Sequence, residues 1–306
     1  MLYDIRHSTT YLYEADVTLS HQLVRLTPRE LPYQRCLAHE LIVQPTPSAL
    51  YRQTDYFGNS VTALTIELGH GTFCVESRSR VELRVRKVPD PADTPAWDEI
   101  NVAPGHEALF QDPTVDEFLY ESPLVRRLPE LAAYAAPSFP PGRPVLEAAI
   151  DLTARLHADF KFDSKATTVA TPLSEVLRLR RGVCQDFAQL QIGCLRAFGL
   201  PARYVSGYLE TVPPPGRPKL IGTDASHAWV SFYCPDHGWI DLDPTNNVLP
   251  SDRHVTVAWG RDYSDVPPIR GVILGAGNHA LKVSVDVTPV VAAERTPPAP
   301  AATDPT

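Results

Sequence analysis

The chain has 306 residues, 43% hydrophobic and 21% charged, enough apolar content for a sizeable core and too much for wholesale disorder or a disulfide-dependent mini-protein. Its 31 prolines, about twice the usual share, exclude a coiled coil or an all-helical array, and a net charge of −8 without a basic stripe argues against nucleic acid as a partner. No stretch reaches the ~18 apolar residues that span a bilayer, and MLYDIRHSTTYLYEADV lacks a signal-peptide layout, so a cytoplasmic protein with no membrane partner is expected.

Residues 1–90 alternate at period two and are broken by turns (YDIRHSTTYLY, VTLSHQLVRLTP, DYFGNSVTALTIEL, TFCVESRSRVELRVR), the pattern of an N-terminal antiparallel β domain. Residues 91–143 begin with a Pro- and Asp-rich stretch of no sustained period and are expected to be a surface linker and connecting segment. From residue 144 the pattern becomes helical. PVLEAAIDLTARLHADF places Leu146, Ala149, Ile150, Leu152 and Leu156 on one stripe, and TPLSEVLRLRRG predicts a short helix with Thr171 as N-cap, Pro172 first and Gly182 past its end. A third helix starts at Cys184, buries Phe187, Leu190, Cys194, Leu195 and Phe198, and ends at Gly199 and Pro201. ARYVSGYLE, SHAWVSFYC and GWIDLDP follow as strands around the proline-rich VPPPGRPK, completing a core over 144–250. HVTVAWG and HALKVSVDVTPVV, within 251–291, are expected to complete the fold, and 292–306 to be a disordered tail.

Five scattered cysteines (Cys36, Cys74, Cys184, Cys194, Cys234) are an odd set, which argues against a disulfide framework and leaves a thiol for chemistry. Cys184 in the first turn of a helix meets the positive end of the helix dipole and free backbone N–H groups, which favour a thiolate and a developing oxyanion. Its alternative is a small core residue, the reading given to Cys194. In SHAWVSFY, His227, Trp229 and Ser231 share one face. The PDHG turn then brings Asp243 back as a cross-strand neighbour of His227, so that a carboxylate orients the imidazole that takes the thiol proton. Asp241 shares that strand face and is the second choice as orienter, its other reading being a solvated strand-end carboxylate.

RGVCQDFAQL, LPARYVSGYL and ASHAWVSFYCPDHGWIDLDPTNN together resemble the core of the transglutaminase-like superfamily, in its bacterial branch provisionally grouped with cysteine proteases. DYFGN and the first ninety residues resemble that branch's N-terminal β domain, and HVTVAWGRDYSDVPPIRGVILG its C-terminal signature. The resemblance implies an α+β, papain-like fold, a helix packed on an antiparallel sheet, with Cys184, His227 and Asp243 as catalytic triad. It implies a thiol-dependent peptidase or amidase acting on a peptide or protein amide, with no cofactor or metal; no oligomeric state follows. Gln189 and Phe162 depart from the branch, where His and Tyr are expected.

Several polar residues carry plainer readings. Cys234 and His237 offer half a zinc set that no CxxC or HxxxH completes. Asp186 suits a helix N-terminus electrostatically. Arg261, Asp262 and Tyr263 pin a loop or line the cleft, and the remaining histidines, His254 included, are surface or core residues. Two rival functions stand beside hydrolysis. Acyl transfer to an amine needs water excluded, and animal-type transglutaminases use a tryptophan upstream of the cysteine and calcium; here Trp97 alone precedes Cys184, Trp229 and Trp239 are read as packing on the helix, and no DxDxDG loop is present. A non-catalytic binding module is the other, against which all three triad residues count.

Overall fold

The computed structural model describes residues 1–100, 113–211, 226–275 and 277–290. The VPPPGRPK loop and the expected tail lie outside these residues, as does part of the expected linker. Strand β1 (Leu2–Val24) is long enough to serve two neighbourhoods. With β2 (Gln34–Gln44), β3 (Ala49–Thr54), β4 (Ser60–Ile66) and β5 (His70–Leu83) it builds an antiparallel sheet in the order β2-β5-β1-β4-β3. Pairing of β1 with β5 runs from Leu2 to Leu12 and breaks before Val17, and its second half pairs with β4. The DYFGN turn joins β3 to β4: Gly58 is in the left-handed region (φ 74°), and Asp55 accepts hydrogen bonds from the Phe57 and Asn59 amides.

Where it is described, the connecting segment is packed rather than laid over the surface. Its described part carries the short helices α1 (Trp97–Ile100), α2 (Pro113–Asp116) and α3 (Pro129–Ala135), and Ile100, Val125, Leu131 and Ala135 are buried in the main core. Helix α4 (Val145–Asp159) follows the predicted stripe. Next come β6 (Lys161–Phe162), α5 (Leu173–Leu179) and β7 (Arg181–Gly182), where β6 and β7 pair in parallel. Thr171 does not cap α5; Pro172 holds that position, and the helix ends at a left-handed Arg180 (φ 54°) rather than at Gly182. Helix α6 (Cys184–Ala197) is buried along nearly its whole length and packs on β8 (Ala202–Leu209) and β9 (Ser226–Cys234), which form a four-stranded sheet with β10 (Gly238–Leu242) and β11 (His254–Gly260) in the order β10-β9-β8-β11. Ala228, Val230 and Phe232 face the helix side and join its core, as the alternation predicts.

The last two strands, β12 (Ile269–Gly275) and β13 (His279–Pro289), do not extend this four-stranded sheet. Both return to β1, β13 along its first half and β12 along its second, so the final strands complete the N-terminal sheet. The main core runs through both parts, with Tyr3, Ile5, Val81 and Leu83 in the same apolar cluster as α4, α6 and β8. Among the described residues, no helix is long and apolar enough to cross a membrane.

Candidate active site

Cys184 is the first residue of α6, preceded by an extended Val183. Asp186, one turn in, reaches back to accept the Val183 amide at 2.8 Å and the Thr167 hydroxyl at 2.6 Å. Its carboxylate fills the space over Gly182, where an added Cβ would lie 2.5 Å from Asp186 Oδ2. The glycine before Val183 therefore lets a buried carboxylate fasten the start of the helix. Burial raises the Asp186 pKa against those two hydrogen bonds.

His227, near the start of β9, bridges two partners. Its Nε2–H donates to Asp243 Oδ2 at 2.7 Å, and the Cys184 thiol acts on the same ring, raising its pKa. With Nε2 committed to the carboxylate, Nδ1 is the nitrogen left for the thiol. Burial opposes the charged ring, yet Asp243 and Cys184 overcome it and raise the pKa to about 10. Asp243 is fully buried just past β10. The β9–β10 register pairs Leu242 with Val230, so Asp243 lies diagonal to His227 rather than directly opposite. The loop after it folds back, the Asp243 and Val248 backbones pair, and Asp243 Oδ1 accepts the Thr245 and Asn246 amides at 3.0 and 3.1 Å. Oδ2 accepts from His227, from Asn246 Nδ2 at 2.7 Å and from His254 Nε2 at 3.1 Å. Burial alone would neutralise such a carboxyl, but its donors hold the pKa far below the ordinary value.

The other carboxylate of the strand has a different employment. Asp241 is buried, not solvated: it pairs with Arg86 from beyond β5 and accepts the Trp229 Nε1–H at 2.9 Å. Arg86 also donates to the His254 carbonyl at 3.2 Å and stacks over Tyr33. Trp229 accordingly sits on the face away from α6, against His254 and Gly207, where a Cβ on Gly207 would come within 2.6 Å of the indole. Trp239 contacts Phe118 and Tyr233 edge-on. Trp97 packs on Phe139 and on Phe198 at the far end of α6, about 20 Å from Cys184 along this 14-residue helix.

Cys194 is buried in the core, with its pKa pushed up to about 12 by burial. Cys234 is buried at the end of β9 and His237 lies in the turn beyond it. Asp262 accepts the Ser264 and Leu124 amides and Arg261 pairs with Asp265, so this stretch pins a loop, while Tyr263 meets Tyr204 edge-on. Gln189 is buried with Oε1 unpartnered, and Phe162 is exposed. Among the described residues, His227, Asp243 and His254 form the one cluster of metal-ligating types. Both imidazoles already direct Nε2–H at the same carboxylate oxygen, an arrangement that hydrogen bonding explains by itself.

Residues 3–82 match the family described as bacterial transglutaminase-like N-terminal region, and residues 133–244 match the transglutaminase-like superfamily. A protein of Mycobacterium tuberculosis without assigned function is 42% identical over 296 residues, covering 94% of this chain and 92% of its own length. The chain belongs to the transglutaminase-like superfamily. A solved structure from Cytophaga hutchinsonii, provisionally described as a cysteine protease, has the same fold, with a TM-score of 0.73 at 21% identity over 96% of this chain and 92% of that one. A shorter likeness, 40% over 72 residues, is to a protein-glutamine gamma-glutamyltransferase of Pseudomonas aeruginosa and covers 23% of this chain and 11% of that protein.

The superfamily match contains Cys184, His227 and Asp243 and stops short of His254. Sequence reasoning missed His254 and Asn246 as partners of Asp243. Asn246 had a signal, since Asn three residues past an Asp in DPTNN suits a turn that folds back on the carboxylate. His254 had none, because its contact depends on β11 reaching the sheet through β8.

Proposed function

We propose that this chain is a thiol-dependent hydrolase of peptide or protein amides that works through a Cys184 thioester. The observation that carries the reading is the 2.7 Å hydrogen bond of His227 to Asp243, on a ring whose pKa is raised by both that carboxylate and the Cys184 thiol. The Cys184 sulfur attacks the amide carbonyl, and the oxyanion develops beside the N–H groups at the start of α6. His227, charged and held by Asp243, gives its proton to the leaving amine. It then takes one from the water that attacks the thioester and passes it to the departing Cys184 sulfur, releasing the acid and restoring the thiol. A cytoplasmic location belongs to the same proposal; all five cysteines are free, as a reducing compartment would keep them.

Acyl transfer to an amine is the second reading, favoured by the local likeness to the Pseudomonas aeruginosa transferase. Hydrolysis is preferred because the tryptophans do not serve the thioester: Trp97 is remote and the Trp229 N–H is committed to Asp241. With water at about 55 M, a millimolar amine wins only through oriented contacts that exclude water. Mass analysis of products from a peptide amide or activated ester, with primary amine varied and calcium chelated, decides between them. Free acid as the main product supports hydrolysis; amide product at low millimolar amine, or a strict calcium requirement, assigns transfer. Absence of any Cys184 adduct with these substrates and with iodoacetamide would favour a non-catalytic module.

A further inference from the structure

We propose that His254 is a positioning residue, whose Nε2–H holds Asp243 Oδ2 in line with the His227 Nε2–H. The inference rests on the triad reading above and extends it to a residue from the far strand of the sheet. Asp243 Oδ1 is anchored by two backbone amides of its own loop, which fixes one end of the carboxylate and leaves Oδ2 to side chains. Three donors converge there, and His254, 4% exposed, is the one delivered from outside the Asp243 loop and the His227 strand.

The ring keeps this contact at a disadvantage to itself. His254 Nδ1 is buried with no partner, an unmet acceptor that an apolar ring of similar size would not have. Its surroundings also hold it neutral. The charged groups facing it are His227 from β9, Arg86 from beyond β5 and Asp243 from the loop after β10; burial and the two cations outweigh the carboxylate, so its pKa falls. A neutral imidazole with a buried, donorless Nδ1 carries its proton on Nε2, which is the proton Asp243 needs. Gly207 makes the placement possible. It lets the Trp229 indole cross β8 and pack edge-on against His254 at 5.3 Å, walling the ring in.

H254Q and H254M test this in the full chain, because Gln and Met are close in volume and only Gln keeps an N–H. Three readouts apply: iodoacetamide alkylation of Cys184 across pH, the low-field proton resonance of the His227–Asp243 hydrogen bond, and circular dichroism for folding. H254M is expected to lose the low-field resonance and to slow Cys184 alkylation at neutral pH by roughly ten- to hundredfold, the range for removing a bond that orients a reacting group. H254Q should recover most of the rate. H254F, also without a donor, replaces H254M if the latter does not fold. A folded donorless variant that keeps the resonance and reacts within about twofold of wild type overturns the proposal, as does an equal loss in H254Q. Failure of wild-type Cys184 to label ahead of the other four cysteines would count instead against the triad.

Discussion

Replacing Asp243 by Asn is the sharpest test of the site, because the structure leaves an amide no workable orientation. If the Asn oxygen stays on the Thr245 and Asn246 amides, its NH2 group meets the donors of His227, His254 and Asn246. If it is turned over, the NH2 faces two backbone amides instead. In the first orientation His227 can adapt only by placing its proton on Nδ1, toward Cys184, which is the wrong tautomer for a base. The charge is lost as well. His227 is raised from 6.5 to about 10 by its two partners, a preference for imidazolium of about 5 kcal/mol in which Asp243 has a major share. Turnover per folded molecule should fall by about 10²–10⁴, the upper figure being typical of this change in a triad. Asp241→Asn should do the reverse, weakening the fold by up to about 3–5 kcal/mol as Arg86 loses its buried partner while the surviving folded protein keeps most of its turnover. Product release followed by mass spectrometry, beside urea denaturation of both variants, separates the outcomes. Equal losses of turnover, or an Asp243→Asn enzyme within tenfold of wild type, would refute the reasoning.

Among the five thiols, Cys184 should be alkylated first and slowed by His227→Ala, since Cys194 and Cys234 are buried with pKa values pushed up to about 12 and Cys36 is also raised by burial; peptide mapping of partly labelled protein reads the order. The His227–Asp243 pair should stabilise the fold most between pH 3.8 and 6.5. Asp243, depressed on folding, contributes fully above 3.8 and loses this as pH falls toward its folded value, while His227, raised on folding, contributes fully below 6.5 and loses this as pH rises through about 10. Denaturant titrations of His227→Ala against wild type should therefore converge at high pH, and a gap that widens there would contradict the sign. Gly207→Ala should cost several kcal/mol or prevent folding, because its Cβ would lie 2.0 Å from the Val255 carbonyl and 2.6 Å from Trp229; an unchanged melting temperature would show the packing to be wrong.

Local pattern made the reacting residues legible. A cysteine opening an apolar helix, a His in an alternating strand and an Asp past the next turn are each readable over ten or twenty residues, and the structure brings those three together. Most of the N-terminal sheet was legible for the same reason, although YDIRHSTTYLY and VTLSHQLVRLTP are one strand, β1, and β3 was not read. What period and turn chemistry do not encode is which sheet a late strand joins, so β12 and β13, about 250 residues along, gave no sign that they return to β1. The connecting segment misled because its prolines and acids dominate its composition. Yet Leu131, Tyr134 and Ala135 follow helical spacing behind Pro129, and all three are buried. Asp241 read as solvated because Arg86, its counter-ion, lies 155 residues away in sequence.

These long-range contacts explain why the N-terminal β domain and the four-stranded sheet share one architecture. The face of the sheet opposite α6 carries Asp241, Trp229 and His254, polar groups that bare solvent or a plain apolar layer would serve poorly. Residues from the first ninety positions cover it. Arg86 neutralises Asp241 and holds the His254 carbonyl, Gln34 exchanges hydrogen bonds with the Thr256 backbone, and Asn59 of the DYFGN turn does the same with Trp259. All three clamps grip β11 backbone, Arg86 at the carbonyl of its first residue, His254. The strand that delivers the second histidine to Asp243 is thus fixed by the N-terminal domain. The N-terminal domain holds β11 from one face of the sheet, while α6 and β9 bring Cys184 and His227 to the candidate site.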